Sequence, residues 1–201
     1  MNFVQHGIRQ PNTRAVDEFN ADIVGAPFKA ILRNSVQIIY NHKTGEIEDY
    51  HIPDYDGLLR AIVLNRALHS LKLSGADIKF LRKCIGLKAK ELCKKIGVTS
   101  EHMSRLENNN IIISPASEKL LRLFMFKTAL KLSCMKSEEK RIKLEDALDR
   151  LFDDVKPVAC YDVDEELVLC LHRPFKHPKA ANKGGGSEFD ACWDAPKAVC
   201  V

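Results

Sequence analysis

The chain has 201 residues, 45% of them hydrophobic and 29% charged, enough apolar material to bury the core of one compact domain or two small ones. No run approaches the roughly 18 apolar residues that a bilayer span requires, and the first 20 residues, with Asp17, Glu18 and no apolar block, do not read as a signal peptide, so a cytoplasmic protein with no membrane partner is expected. The net charge of +4 is modest but uneven: residues 71–110 carry nine Lys/Arg against four acids, a local +5, whereas 138–166 carry eleven acids against five bases, so a phosphate-facing surface is expected in the middle of the chain.

Residues 1–27 are polar and lack a sustained period, and are read as an N-terminal arm. Phe28–Leu32 and Val36–Tyr40 are β-branched or aromatic, and the turn cluster Asn41–Gly45 leads into Glu46–Ile52. Residues 28–55 therefore read as a β-rich segment with a hairpin about Lys43 to Gly45, ended by Pro53, which lacks a ladder donor. Between Asp56 and Leu71, apolar residues at helical spacing cover more than half of the helix circumference. So wide a face needs two neighbours, for example its own domain and a second subunit, which makes Leu58, Leu59, Ile62 and Val63 the candidate dimer interface.

Ser74-Gly-Ala-Asp77 is a capping-box-like helix start, Ile78, Leu81 and Ile85 share one face, and Gly86 supplies a left-handed stop. A helix near Ala89 to Ile96 ends at Gly97, and another begins at Thr99, whose hydroxyl caps its first turn. With Leu92, Ile96, Val98, Met103 and Leu106 facing inward, Ser100, Glu101, His102, Ser104 and Arg105 are left on the outer face of the second helix. This is the disposition in which a recognition helix enters a major groove. Ser114-Pro115 opens a further apolar helix, and a charged one follows from Ser137 to about Phe152. Pro157–Val163 and Glu166–His172 read as a hairpin, and 176–201, with its Gly184–Ser187 run, as a flexible tail.

The framework Leu87-x-x-x-Glu91-Leu-Cys-x-x-x-Gly97-Val-Thr-x-x-x-Met103-Ser-Arg-Leu-Glu107 resembles the helix-turn-helix of the xenobiotic-response-element (Cro/repressor-like) family over about 30 residues. Ile52-Pro53, the following apolar helix and Leu73–Lys83 extend the resemblance to the MqsA-type antitoxins and regulators, in which a β-rich segment precedes the DNA-binding domain; together it covers roughly residues 28–130. The expected fold is α+β: a mainly α, lambda-repressor-like helix-turn-helix domain over 56–135, the β-rich segment before it, and a small C-terminal α/β extension over 137–175. MqsA-type proteins carry zinc-binding Cys-x-x-Cys pairs in the N-terminal segment, but Val36–Asp49 contains no cysteine, so zinc is not carried over and no cofactor is expected. Lys88 and Ala89 stand where the family commonly has Ser-Gln.

The resemblance implies a homodimeric repressor on double-stranded DNA, with Arg105 reading guanine O6 and N7, Glu101 accepting from cytosine N4, and His102 one turn before Arg105 on the same side. Thr99, Ser100 and Ser104 are further candidate contacts, and Lys88, Lys90, Lys94 and Lys95 candidate phosphate contacts. Alternatives are an antitoxin of the MqsA or HigA type that binds a partner toxin, and a regulator from a phage or mobile element, such as an anti-CRISPR-associated repressor. Catalysis is not expected, because the seven histidines are dispersed and no Gly-rich loop follows a strand. The seven cysteines form no Cys-x-x-Cys pair and read as thiols, Cys84 and Cys93 as core thiols; a zinc site drawn from Cys160, Cys170, His172, His177 and Cys192 matches no ribbon or finger spacing.

Overall fold

A computed structural model describes residues 12–133, 138–154, 167–173 and Trp193. They form an α+β arrangement of a four-stranded sheet and six α-helices. Strand β2 (Lys29–Tyr40) is central: β1 (Asn12–Asn20) runs antiparallel along one edge. The other edge is shared by β3 (Ile47–His51), antiparallel to Gln37–Tyr40, and β4 (Val168–His172), parallel to Lys29–Arg33. The hairpin expected about Lys43 to Gly45 is present, with Gly45 at φ 72° and the Asn41 Oδ1 accepting from Lys43 N–H.

Two expectations are corrected in the sheet. The arm expected over 1–27 holds β1 from Asn12, because its paired face is supplied by β2 and not by any alternation of its own; Val16 and Phe19 pack on the sheet core. The two segments Phe28–Leu32 and Val36–Tyr40 belong to one strand. Asn34, at φ 49°, kinks that strand where β1 also shifts register. The buried Ser35 holds the kink, its hydroxyl donating to Arg33 O and accepting from Arg173 N–H at 2.8 Å. Within Glu166–His172, expected to be half of a hairpin, Val168–His172 pairs in parallel with β2; the other expected half, Pro157–Val163, lies outside the described residues. In the stretch expected to be a flexible tail, Trp193 is 4% exposed in the sheet core, its Nε1–H donating to Asp54 O at 3.1 Å.

Helix α1 (Tyr55–Leu68) resolves its own wide apolar face. Leu58, Ala61 and Ile62 pack into the sheet core with Leu32, Val36, Leu169 and Leu171, while Val63, Leu64 and Ala67 pack into a second, helical core. The expected dimer interface is therefore corrected. Leu58, Ile62 and Val63 are each 0% exposed within one chain, and Leu59 is half-buried against the sheet core. Two neighbours were needed, and both come from the same chain.

The helical core is built from α1, α2 (Gly75–Cys84), α3 (Ala89–Ile96), α4 (Ser100–Glu107), α5 (Pro115–Leu132) and α6 (Glu138–Asp154), the last contributing Leu144 and Leu148. The capping box at Ser74 and Asp77 is formed, Gly86 is left-handed at φ 71°, and Ser114 caps α5 with Pro115 in its first turn. Between α1 and α5 lies a buried charged cluster. Arg66 donates to Asp77 Oδ2 at 2.8 Å and to the carbonyls of Leu71 and Lys72. Arg122 donates to Glu118 and to the carbonyls of Ala67, His69 and Leu71. Lys72 donates to the other Glu118 oxygen, and Leu73 N–H to the first. Two guanidiniums thus satisfy the carbonyls of the bend at 69–72, where the chain leaves α1, and so fix the start of α2.

Candidate nucleic-acid interface

Helices α3 and α4 are joined by the turn Gly97-Val98-Thr99. Gly97 sits at φ 75°, a left-handed conformation in which its N–H and that of Val98 both donate to Cys93 O. Thr99 Oγ1 accepts from His102 N–H at 3.1 Å, which fixes where α4 begins. Cys93 is buried and its thiol points at Thr99 O, the packing role expected of it. At the other end, α3 is opened by Glu91, whose carboxylate accepts from Lys88 N–H at 2.9 Å.

On α4, Met103 is 1% and Leu106 2% exposed, both in the helical core with Leu92 of α3, and Ile96 and Val98 pack against that core half-buried. The remaining positions face outward: Thr99, Ser100, Glu101, His102, Ser104 and Arg105 are all exposed, as are Lys88, Lys90, Lys94 and Lys95. Every one of the ten candidate contact residues is thus on the surface.

The basic window is smaller than its composition. Lys72 is held by Glu118 and by Ile113 O, with its side chain 5% exposed, and Arg82 is committed to Glu107, so seven of the nine cations remain on the surface. Of the four acids, Asp77 is buried against Arg66, Glu107 against Arg82, and Glu91 is occupied as a cap, which leaves Glu101 as the acid on the outer face of α4. The exposed part of the window therefore keeps seven cations against Glu91 and Glu101, the same local +5 as its sequence, so pairing has not diluted its positive charge.

Positioning of α4 depends on residues that spacing alone does not disclose. Arg82 of α2 makes a two-pronged contact with Glu107, Nε to Oε1 at 2.7 Å and Nη2 to Oε2 at 3.1 Å, and donates its third bond to Leu87 O. The fork therefore ties α2, the α2–α3 turn and the end of α4 together. Beyond it, Asn109 turns left-handed at φ 58° and its Oδ1 accepts from Gly75 N–H at 2.6 Å. Gly75 is required here by proximity, since a Cβ in its place would lie 1.9 Å from Leu106 O. The partners are 25 and 34 residues apart, so the only sequence signal was that Arg82 and Glu107 carry opposite charge on neighbouring helices.

Among the described residues no group of three or more His, Cys, Asp or Glu side chains is arranged to hold a metal ion. Of the zinc candidates, Cys170 and His172 lie on β4, while Cys160, His177 and Cys192 fall outside the described residues. No helix among the described residues is long and apolar enough to cross a membrane. Comparisons of the chain with protein-family models, with curated proteins and with solved structures find no match.

Proposed function

We propose that the chain is a sequence-specific DNA-binding transcriptional regulator that lays α4 in the major groove as the second helix of a helix-turn-helix. The observation that carries the reading is the division of α4: Met103 and Leu106 are buried, and the polar residues between them stand bare beside the lysines of α3. Arg105 reads a guanine through O6 and N7, Glu101 and His102 contact neighbouring bases, and Lys88, Lys90, Lys94 and Lys95 meet phosphates. A second copy reads the other half of an inverted repeat, its helix about 34 Å away. With Leu58, Ile62 and Val63 buried, that second copy is expected to use exposed apolar residues elsewhere, of which Ile112 and Leu120 flank the start of α5.

The test is selection of a binding site from a randomised duplex library, followed by titration of variants on the selected site and on single-base changes of it. Arg105→Ala is expected to lose roughly 1–3 kcal/mol on the selected site and to become indifferent at one base position. Lys94→Ala is expected to weaken all sequences alike and to flatten the salt dependence by about one unit of slope. Failure to enrich any duplex at low ionic strength would remove the proposal, and a uniform loss from Arg105→Ala would remove the base-reading role.

A further inference from the structure

Away from α3 and α4, a groove of about 410 Å³ opens where the sheet half meets α2. Val24 and Pro27 ahead of β2, Leu59 of α1 and Phe80 of α2 give it apolar walls, and Lys79 and Lys83 stand at its rim. Phe80 packs against both cores and meets Phe28 edge-on, with centroids 5.8 Å apart, so the groove lies over the seam between them.

We infer that this groove binds a small amphipathic carboxylate, with its apolar body against Leu59 and Phe80 and its charged head between Lys79 and Lys83. The volume lies in the range of small-molecule sites, roughly 300–1,000 Å³. No carboxylate lines the groove, and neither lysine has an ion-pair partner among the described residues. Four residues apart on α2, the two ammonium groups share a helix face and repel, a repulsion that an anion between them removes. The thiol of Cys84, which also lines the groove, is pushed up to about 12 by burial and so stays protonated, adding no negative charge. A cationic or zwitterionic ligand finds no counter-charge there, and an uncharged one leaves the two lysines unrelieved. Lys79 and Lys83 belong to the basic window, but the inference rests on none of the ten candidate contact residues between Lys88 and Arg105, so it stands or falls separately from the DNA-binding proposal.

Titration calorimetry of the full chain with decanoate, with decan-1-ol as the uncharged control and with an acidic amphipathic peptide as the competing occupant, tests it. Decanoate is expected to bind saturably at one per chain and to shift the backbone amide signals of Val24, Leu59 and Phe80. Binding is expected to be at least about tenfold weaker for decan-1-ol and for the Lys79→Glu, Lys83→Glu double variant. Should that variant lose its thermal transition, Lys79→Gln with Lys83→Gln is expected to give the same direction of change in a folded chain. Absence of saturable binding, binding undiminished by either double variant, or amide shifts confined to other elements would overturn the inference. Tighter binding of the peptide at the same amides would also overturn it, and would assign the groove to a protein partner.

Discussion

His69 shows how one side chain couples the buried cluster to pH. Its Nδ1 accepts from Leu71 N–H at 3.2 Å, a bond that only the neutral ring makes, and it sits half-buried beside two guanidiniums. Burial first, then Arg66 and Arg122, lower its pKa from 6.5 to about 4, partly opposed by Asp77. Between those two values the unfolded chain takes up a proton that the folded chain refuses, so stability is present above about pH 6.5 and falls as pH drops toward 4. The expected loss is of the order of 2 kcal/mol after allowing for partial exposure. Urea unfolding between pH 7 and pH 4 checks this: His69→Gln, which keeps an acceptor but cannot titrate, is expected to lose less over the window than the parent, and equal losses would contradict the assignment. Glu118 adds a lower window. Burial acts to raise its pKa, but Arg122, Lys72 and the Leu73 N–H more than offset it, so its carboxyl is held below the usual range. The stability that this carboxylate provides is present above about pH 4.5 and is lost as the pH falls further.

At the level of elements, the placement of α4 is a tertiary matter. Its ends are set locally, by Thr99 at the start and by the left-handed Asn109 after it, but its tilt is set by the Arg82–Glu107 fork and by the contact of Gly75 with the turn after α4. Both side chains of the fork are 10% exposed, so removing one leaves a nearly buried charge without its partner. Arg82→Met is therefore expected to cost about 3 kcal/mol of unfolding free energy. On the proposed DNA-binding reading, the same change in a still-folded protein is expected to lower duplex affinity at every sequence without altering base preference. Urea titration and binding to the selected and altered duplexes separate the two effects; a change of base preference would mean that Arg82 touches DNA itself.

The whole molecule is organised around α1, which is shared by two cores. Because Leu58 and Ile62 are buried by strands of their own chain, Leu58→Ala is expected to cost roughly 2–5 kcal/mol of stability independently of protein concentration. Unfolding at two concentrations a hundredfold apart measures this, and a concentration-dependent loss would restore the subunit interface that the sequence suggested. Trp193 offers a second reading of the same core. As the single tryptophan of the chain, 4% exposed, it is expected to emit as a buried indole and to resist quenching by iodide until the sheet core opens. The sheet is closed from both ends of the chain, since β4 reaches β2 across the whole helical half.

Local chemistry made much of this legible in the sequence. Ser74 with Asp77, Gly86, Gly97, Thr99 and Ser114-Pro115 mark helix ends by bonds to residues at most four positions away, so they act in the same way in a short peptide as in the fold. The exposed and buried sides of α4 were legible for a similar reason, because helical geometry assigns Met103 and Leu106 to one face whatever they pack against. The rest needed partners distant along the chain. β1 has no period of its own and exists because β2 offers it an edge; α1 gave no sign whether its second neighbour was a sheet or another subunit; and Lys72 and Arg82 counted toward the basic window until burial against Glu118 and Glu107 claimed them. Which apolar face meets which, and which charge finds which counter-charge, depends on contacts that only the closed chain brings together. The sequence therefore determined where helices begin and end, and tertiary packing decided what covers them.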